Sequence, residues 1–222
     1  MSYQHQYLDG TRIHFPMGKV VCVGRNYAEH AKELNNPVPT EPLLFIKPGS
    51  CVVALDDSFS IPNDERGAVH YEAEIAVLIG KPLSRKPNAE EVLDAISGFA
   101  PALDLTLREL QDKLKAKAYP WEVAKSFDGA CVLAPFVPGD AVEDLADLGI
   151  RLSLNGERRQ DGNSRDMLNP ILPLIQHICG HFSLQAGDVI LTGTPVGVGP
   201  LTAGDGLELE LVGHSRFSTR VL

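Results

Sequence analysis

Short apolar runs, cut by glycine and proline, recur from one end of the chain to the other. "KVVCVG" (19–24), "LLFIK" (43–47), "YEAEIAVLI" (71–79), "GFAPALDLT" (98–106), "CVLAPFV" (131–137), "RLSLN" (151–155), "DVILTG" (188–193) and "GLELELV" (206–212) have the length and residue types of strands. Asn155-Gly156, between "RLSL" and "ERRQ", is a two-residue hairpin signal, and Asp9-Gly10 is a second turn signal near the N-terminus. Helical spacing is rarer. "NYAEHAKEL" (26–34) opens with Asn26 as a cap and Glu29 three residues on, and "NAEEVLDAI" (88–96) repeats that form with Asn88 and Glu91. "TLRELQDKLKAKA" (106–118) has apolar positions at 107, 110 and 114. "NPILPLIQHICG" (169–180) starts at Asn169, has Pro170 in its first turn and closes at Gly180.

Strands outnumber helices, and β and α do not alternate regularly enough for a Rossmann or barrel fold. The pattern predicts a mixed α/β, mainly β, single-domain architecture with a few short helices. Composition agrees: 222 residues, 44% hydrophobic and 22% charged, suit one substantial core. The net charge of −9 argues against nucleic acid or an anionic membrane as partner, since both require clustered Lys/Arg. No run of 18 apolar residues exists, and the first residues lack a signal or transit pattern, so a cytoplasmic protein is expected. The four cysteines, Cys22, Cys51, Cys131 and Cys179, are scattered without zinc-site spacing and are expected buried and reduced. There is no Walker motif and no G-x-G-x-x-G.

Candidate chemistry starts in "HYEAEIAVLIG" (70–80). On one strand, Glu72 and Glu74 share a face while Tyr71, Ala73, Ile75 and Val77 point the other way. Paired carboxylates on a half-buried face require a cation or water; the alternative is a solvated strand end with acids blunting an edge. Asp104 in "PALDLT" offers a third hard oxygen donor, or else it or Thr106 caps the following helix. Three carboxylates suit Mg²⁺ or Mn²⁺, with Ca²⁺ as an in vitro substitute, and leave about three octahedral positions open. His30 and Glu33 are helix neighbours, an arrangement for drawing a proton from water, or else part of an exposed helix. Lys125 among apolar neighbours, Arg25 before the first helix, and Arg108 with Gln111 one turn apart are candidate anion contacts. Each of these, taken alone, is also an ordinary surface feature.

"VCVGRNYAEHAKEL", "EPLLFIKP", "HYEAEIAVLIGK", "ALDLTLRELQ", "AKSFDG" and "GDVILTGTPVGVGP", in that order, resemble the fumarylacetoacetate hydrolase family, closest to its short acylpyruvate hydrolases. The resemblance implies a β-roll or pseudo-barrel domain over 18–222, with 1–17 as a short N-terminal β segment, and a homodimer. It also implies Glu72, Glu74 and Asp104 as metal ligands, and His30 and Glu33 as the water-activating pair. Lys125, Arg25, Arg108 and Gln111 fall on substrate-contacting positions, and Thr194 lies in the "TGTP" segment lining the cavity. Longer family members carry another acidic ligand seven residues before the histidine; Val23 stands there.

The expected activity is metal-dependent hydrolysis of the C–C bond of 2,4-dioxo acids, acylpyruvates such as acetylpyruvate or fumarylpyruvate, giving pyruvate and a carboxylic acid. The alternative is an oxaloacetate decarboxylase, or a decarboxylase/isomerase of aromatic-degradation intermediates, working through the same pyruvate enolate. A metal-stabilised binding protein without turnover is the non-enzymatic alternative. Glycoside hydrolysis is disfavoured, because Glu72 and Glu74 side by side leave no room for a sugar.

Overall fold

The computed structural model describes residues 3–34, 37–62 and 65–222. Its main sheet has eight strands. Seven run in the order Leu43–Lys47, Val20–Gly24, Val189–Leu191, Ala73–Ile79, Ile96–Asp104, Cys131–Leu133 and Val52–Ala54, and Val137–Pro138 pairs with Ile96–Asp104. All seven residues of Ala73–Ile79 are buried, as expected for a central strand covered on both faces. A five-stranded sheet, with Gly149–Leu154 and Gly206–Leu211 at its centre, packs on this core. In Gly206–Leu211, Leu207, Leu209 and Leu211 are buried while Glu208 and Glu210 are not, the two-residue alternation of a sheet with one wet face. The Asn155-Gly156 turn has positive φ at both residues, 52° and 83°, the backbone of a tight primed hairpin.

A third sheet of three short strands, Gly199–Pro200, Val69–Tyr71 and Thr106–Leu107, positions the site. The expected single strand over 71–79 is two strands. Val69–Tyr71 belongs to the small sheet, Ala73–Ile79 to the large one, and Glu72 lies at the break. Its neighbour breaks at the same level: Ile96–Asp104 ends in the large sheet, and Thr106–Leu107 continues in the small one. The Asp104 N–H donates to the Glu72 carbonyl at 2.9 Å and ties the two breaks together. The three acids therefore sit on a seam where two strands change sheets side by side.

The helices are α1 (Ala28–Glu33), α2 (Ala89–Ala95), α3 (Arg108–Ala116), α4 (Glu122–Lys125) and α5 (Ile171–His181). Only α2 carries the expected capping box, Asn88 with Glu91. Tyr27, not Asn26, is the N-cap of α1, because the Asn26 amide is used elsewhere. α3 starts two residues later than expected, with Leu107 as cap; neither Asp104 nor Thr106 caps it, since Thr106 is still in a strand. α5 is capped by Pro170 and runs through Gly180 to His181. The strand Ser215–Val221 and the single turn of α4 have no counterpart among the expected elements. Residues before Val20 make isolated bridges, Gln6 with Arg12 and Tyr7 with Phe136. All four cysteines are buried thiols.

Candidate active site

Glu72, Glu74 and Asp104 are 5%, 1% and 1% exposed, and each brings a carboxylate oxygen within 4.8 Å of the other two. Glu72 accepts from Arg108 through Oε1 and from Lys125 Nζ through Oε2 at 2.9 Å. Burial pushes its carboxyl up, but Lys125 and Arg108 outweigh that and hold it well below the usual carboxylate range. Glu74 accepts from one donor among the described residues, the Gly193 N–H, at 2.6 Å. Burial, and then the charges of Asp104 and Glu72, push its carboxyl well above the usual range. Asp104 Oδ2 accepts from Lys125 Nζ at 2.8 Å, whereas Oδ1 has no directed hydrogen bond although Lys47 Nζ is 2.8 Å away. Hard oxygen donors and a third negative charge that the protein alone holds poorly fit a hard divalent cation. Glu72, Glu74 and Asp104 could hold one.

The other expected residues gather around this centre. His30, Lys125, Arg25, Arg108, Gln111 and Thr194 line one cleft with the three acids. Lys125 Nζ uses its three donors on Glu72, Asp104 and, at 2.7 Å, Thr106 Oγ1. His30 Nδ1 is 3.0 Å from Glu33 Oε2, and Glu33 Oε1 accepts the Gly197 N–H at 3.0 Å. An ionised carboxylate only accepts, so Nδ1 carries the hydrogen and Nε2 is left as the base. Gly197 has φ 104°, and a Cβ there would lie 1.9 Å from the Arg159 carbonyl oxygen, so the N–H that orients Glu33 depends on glycine. Arg108 donates to Gln111 Oε1 at 2.8 Å as well as to Glu72. Arg25 has φ 59°, an uncommon conformation for a side-chain-bearing residue at the cleft wall. Thr194 Oγ1 donates to the Ala73 carbonyl and accepts from Gln160, which leaves it able only to accept from a ligand. Val23 lines the cleft where longer relatives have an acid.

Three supporting residues escaped the sequence. Lys47, fully buried, donates to the carbonyls of Leu105, Lys125 and Ala130 and pairs with Asp104, so it fixes a candidate ligand and the backbone of Lys125 together. Burial opposes its charge, but Asp104 outweighs that and keeps it protonated. A charge closing the apolar run "LLFIK" was the available signal. Gln160, also fully buried, accepts from Ala73 N between the two glutamates and donates to Thr194 and the Pro195 carbonyl. Asn26 donates to the carbonyls of Thr192 and Asn169 and accepts from Asn169 N, joining α1 to the "TGTP" loop. Nothing in "ERRQDG" or "GRNY" marks these long-range ties.

A mainly β scaffold with a buried three-carboxylate centre, flanked by a His–Glu pair and a lysine, defines the class: an enzyme site able to use a divalent cation. The chain belongs to the fumarylacetoacetate hydrolase family; the model of that family's hydrolase C-terminal region matches residues 19–222. It is 49% identical to an oxaloacetate tautomerase of Escherichia coli (strain K12) over 99% of this chain and 100% of that protein. It is 40% identical to a mitochondrial oxaloacetate decarboxylase of Dictyostelium discoideum, over 88% of this chain and 89% of that protein. Among solved structures, a fumarylpyruvate hydrolase from Pseudomonas aeruginosa in complex with Mn²⁺ and pyruvate superposes with a TM-score of 0.92 at 31% identity, over 100% of this chain and 96% of that one. Among the described residues, no helix is long and apolar enough to cross a membrane.

Proposed function

We propose that the chain is a divalent-metal-dependent enzyme of oxaloacetate, whose core act is proton transfer between C3 and the C2 oxygen. The carrying observation is the His30–Glu33 pair, its Nδ1 fixed at 3.0 Å, opening on the same cleft as the three acids. A divalent cation held there, Mg²⁺ or Mn²⁺, would supply Lewis-acid polarisation of a 2-oxo acid. His30 Nε2 accepts the C3 proton, the C–H electron pair becomes the C2–C3 double bond, the C=O π pair moves to the C2 oxygen, and that oxygen takes a proton from solvent; ketonisation is the reverse. Arg108 and Arg25 bind substrate carboxylate, Lys125 holds Glu72 and Asp104 in register, and Thr194 accepts from the enol hydroxyl. Support for the substrate comes from the oxaloacetate tautomerase and decarboxylase relatives; loss of CO₂ would leave a different enolate, that of pyruvate, with its charge on the same C2 oxygen.

Hydrolysis of acylpyruvates is the second candidate activity, favoured by the likeness to fumarylpyruvate hydrolase and by a His–Glu pair equally suited to activating water. The enzyme acts, on this proposal, as a cytoplasmic homodimer built on one catalytic domain over 18–222, which sedimentation would check.

The test is one assay set with Mg²⁺ or Mn²⁺: decay of enol absorbance and pyruvate release from oxaloacetate, and cleavage of acetylpyruvate and fumarylpyruvate. Metal-dependent acceleration of enol decay, lost with EDTA and in His30→Ala, is expected. Cleavage of an acylpyruvate with higher kcat/KM than any oxaloacetate conversion would replace the proposal with hydrolysis. Turnover of none of the substrates would remove both.

A further inference from the structure

α3 turns three polar residues to the cleft at helical spacing: Arg108, Gln111 and Lys115 all line it. Arg108 reaches the metal centre through Glu72, so the row runs outward from the acids. Lys115 is two turns on, about 10 Å along the axis, and its side chain leans back towards Arg108. Its Nζ lies 5.8 Å from the centroid of Trp121, itself packed edge-on against Phe45 at 5.9 Å, so an aromatic wall holds the ammonium at the cleft mouth. Its acidic neighbour is weak: Asp112 is 3.3 Å away, one turn back on the same helix and 62% exposed, whereas Lys115 is 22% exposed. Burial, helped by repulsion from Arg108 and Arg25, lowers the Lys115 pKa despite Asp112.

Charge counting sharpens the point. Among the described residues lining the cleft, the three cations Arg108, Lys115 and Lys125 match three carboxylates. A divalent cation would add a positive excess of two. A 2-oxo acid anchored by its C1 carboxylate and 2-oxo oxygen brings one negative charge to that end. A second carboxylate, three carbon–carbon bonds away, is what the outer end lacks.

We propose that Lys115 is the recognition residue for the distal carboxylate of a dicarboxylic 2-oxo acid, and that it separates such substrates from monocarboxylic ones. The proposal rests on the oxaloacetate assignment above. The test compares the wild-type protein with Lys115→Met and Lys115→Arg, each loaded with Mn²⁺, using calorimetric binding of (S)-malate and (S)-lactate. Both are 2-hydroxy acids that anchor alike, and lactate has no distal carboxylate. Wild-type protein should prefer malate by about tenfold, Lys115→Met should erase that preference by weakening malate alone, and Lys115→Arg should keep most of it. KM for oxaloacetate should rise about tenfold in Lys115→Met.

A malate preference that survives in Lys115→Met, or one absent from the wild-type protein, overturns the proposal. If oxaloacetate is not turned over but the Lys115-dependent preference holds, the function falls and the subsite stands. If oxaloacetate is turned over with KM unchanged in Lys115→Met, the subsite falls and the function stands.

Discussion

On the outer face of the five-stranded sheet, Arg151 pairs with Asp161 at 3.0 Å and Arg158 with Asp161 at 3.1 Å, with all three side chains at least a third exposed. At the seam between the large and small sheets, Lys125 pairs with Glu72 and Asp104 at 2.9 and 2.8 Å, and all three are nearly sealed from water. The distances match, but the settings do not. Water screens the outer pairs and replaces either partner when it is lost, so they contribute little. At the seam no water takes over, and every charge depends on its neighbour. Charged residues on a surface strand show only that the strand is wet. The same residues at a buried break between sheets mark a site.

Removing one buried partner should have the largest effect. Lys47→Met strips Asp104 of one of its two cations, leaving Lys125 alone, and three carbonyls of their donor. The cost, about 3–5 kcal/mol, should lower Tm by about 10 °C in a thermal melt. A Tm within a degree or two of the wild-type value would refute the role given to Lys47.

Glu74→Gln should do the opposite to the metal-free protein. The folded-state pKa of Glu74 is raised, so its contribution to stability is fully present below the ordinary value of 4.5 and is lost as pH rises towards the folded pKa. Metal-free Glu74→Gln should therefore melt higher than metal-free wild type at neutral pH, and this advantage should vanish on acidification to pH about 4. Glu72 runs the other way: its lowered pKa adds stability above 4.5 that is lost as pH falls. Melting curves across this range with EDTA separate the two, and an unchanged Glu74→Gln melt at pH 7 would contradict the account.

Gly197→Ala should act on activity more than on the acids. A Cβ would collide with the Arg159 carbonyl and displace the N–H that holds Glu33. Turnover should fall about tenfold or more while Mn²⁺ binding is kept, as in Glu33→Gln. Loss of metal binding instead would mean that the loop supports the acids through Gly193 rather than the His–Glu pair. The smallest effect belongs to the outer face: Arg151→Ala should shift Tm by about 1 °C or less.

Much of this contrast was readable before folding. Five of the expected apolar runs, 19–24, 43–47, 151–155, 188–193 and 206–212, each supply one strand of the two larger sheets at nearly its expected bounds, because residue type and glycine or proline punctuation are local signals. Run 131–137 gives two strands of the large sheet, Cys131–Leu133 and Val137–Pro138. The runs divided between sheets, 71–79 and 98–106, were not foreseeable: a change of sheet leaves no mark on alternation when both sheets bury the residues involved. The caps show the same limit. Asn88 caps α2 as its spacing implies, but Asn26 gives its amide to Asn169 and Thr192, more than 140 residues away, and no local rule anticipates that. The residues expected at the site do converge, carried by motif spacing and family resemblance, while Lys47 and Gln160 act through long-range backbone contacts that only the fold creates.

Calorimetric titration of Mn²⁺ into the wild-type protein and into Glu72→Gln and Asp104→Asn, each checked for an intact fold, bears most directly on the three-acid centre. One Mn²⁺ per chain in the wild type and none in either variant is expected. Undiminished Mn²⁺ binding by a folded Asp104→Asn would contradict it.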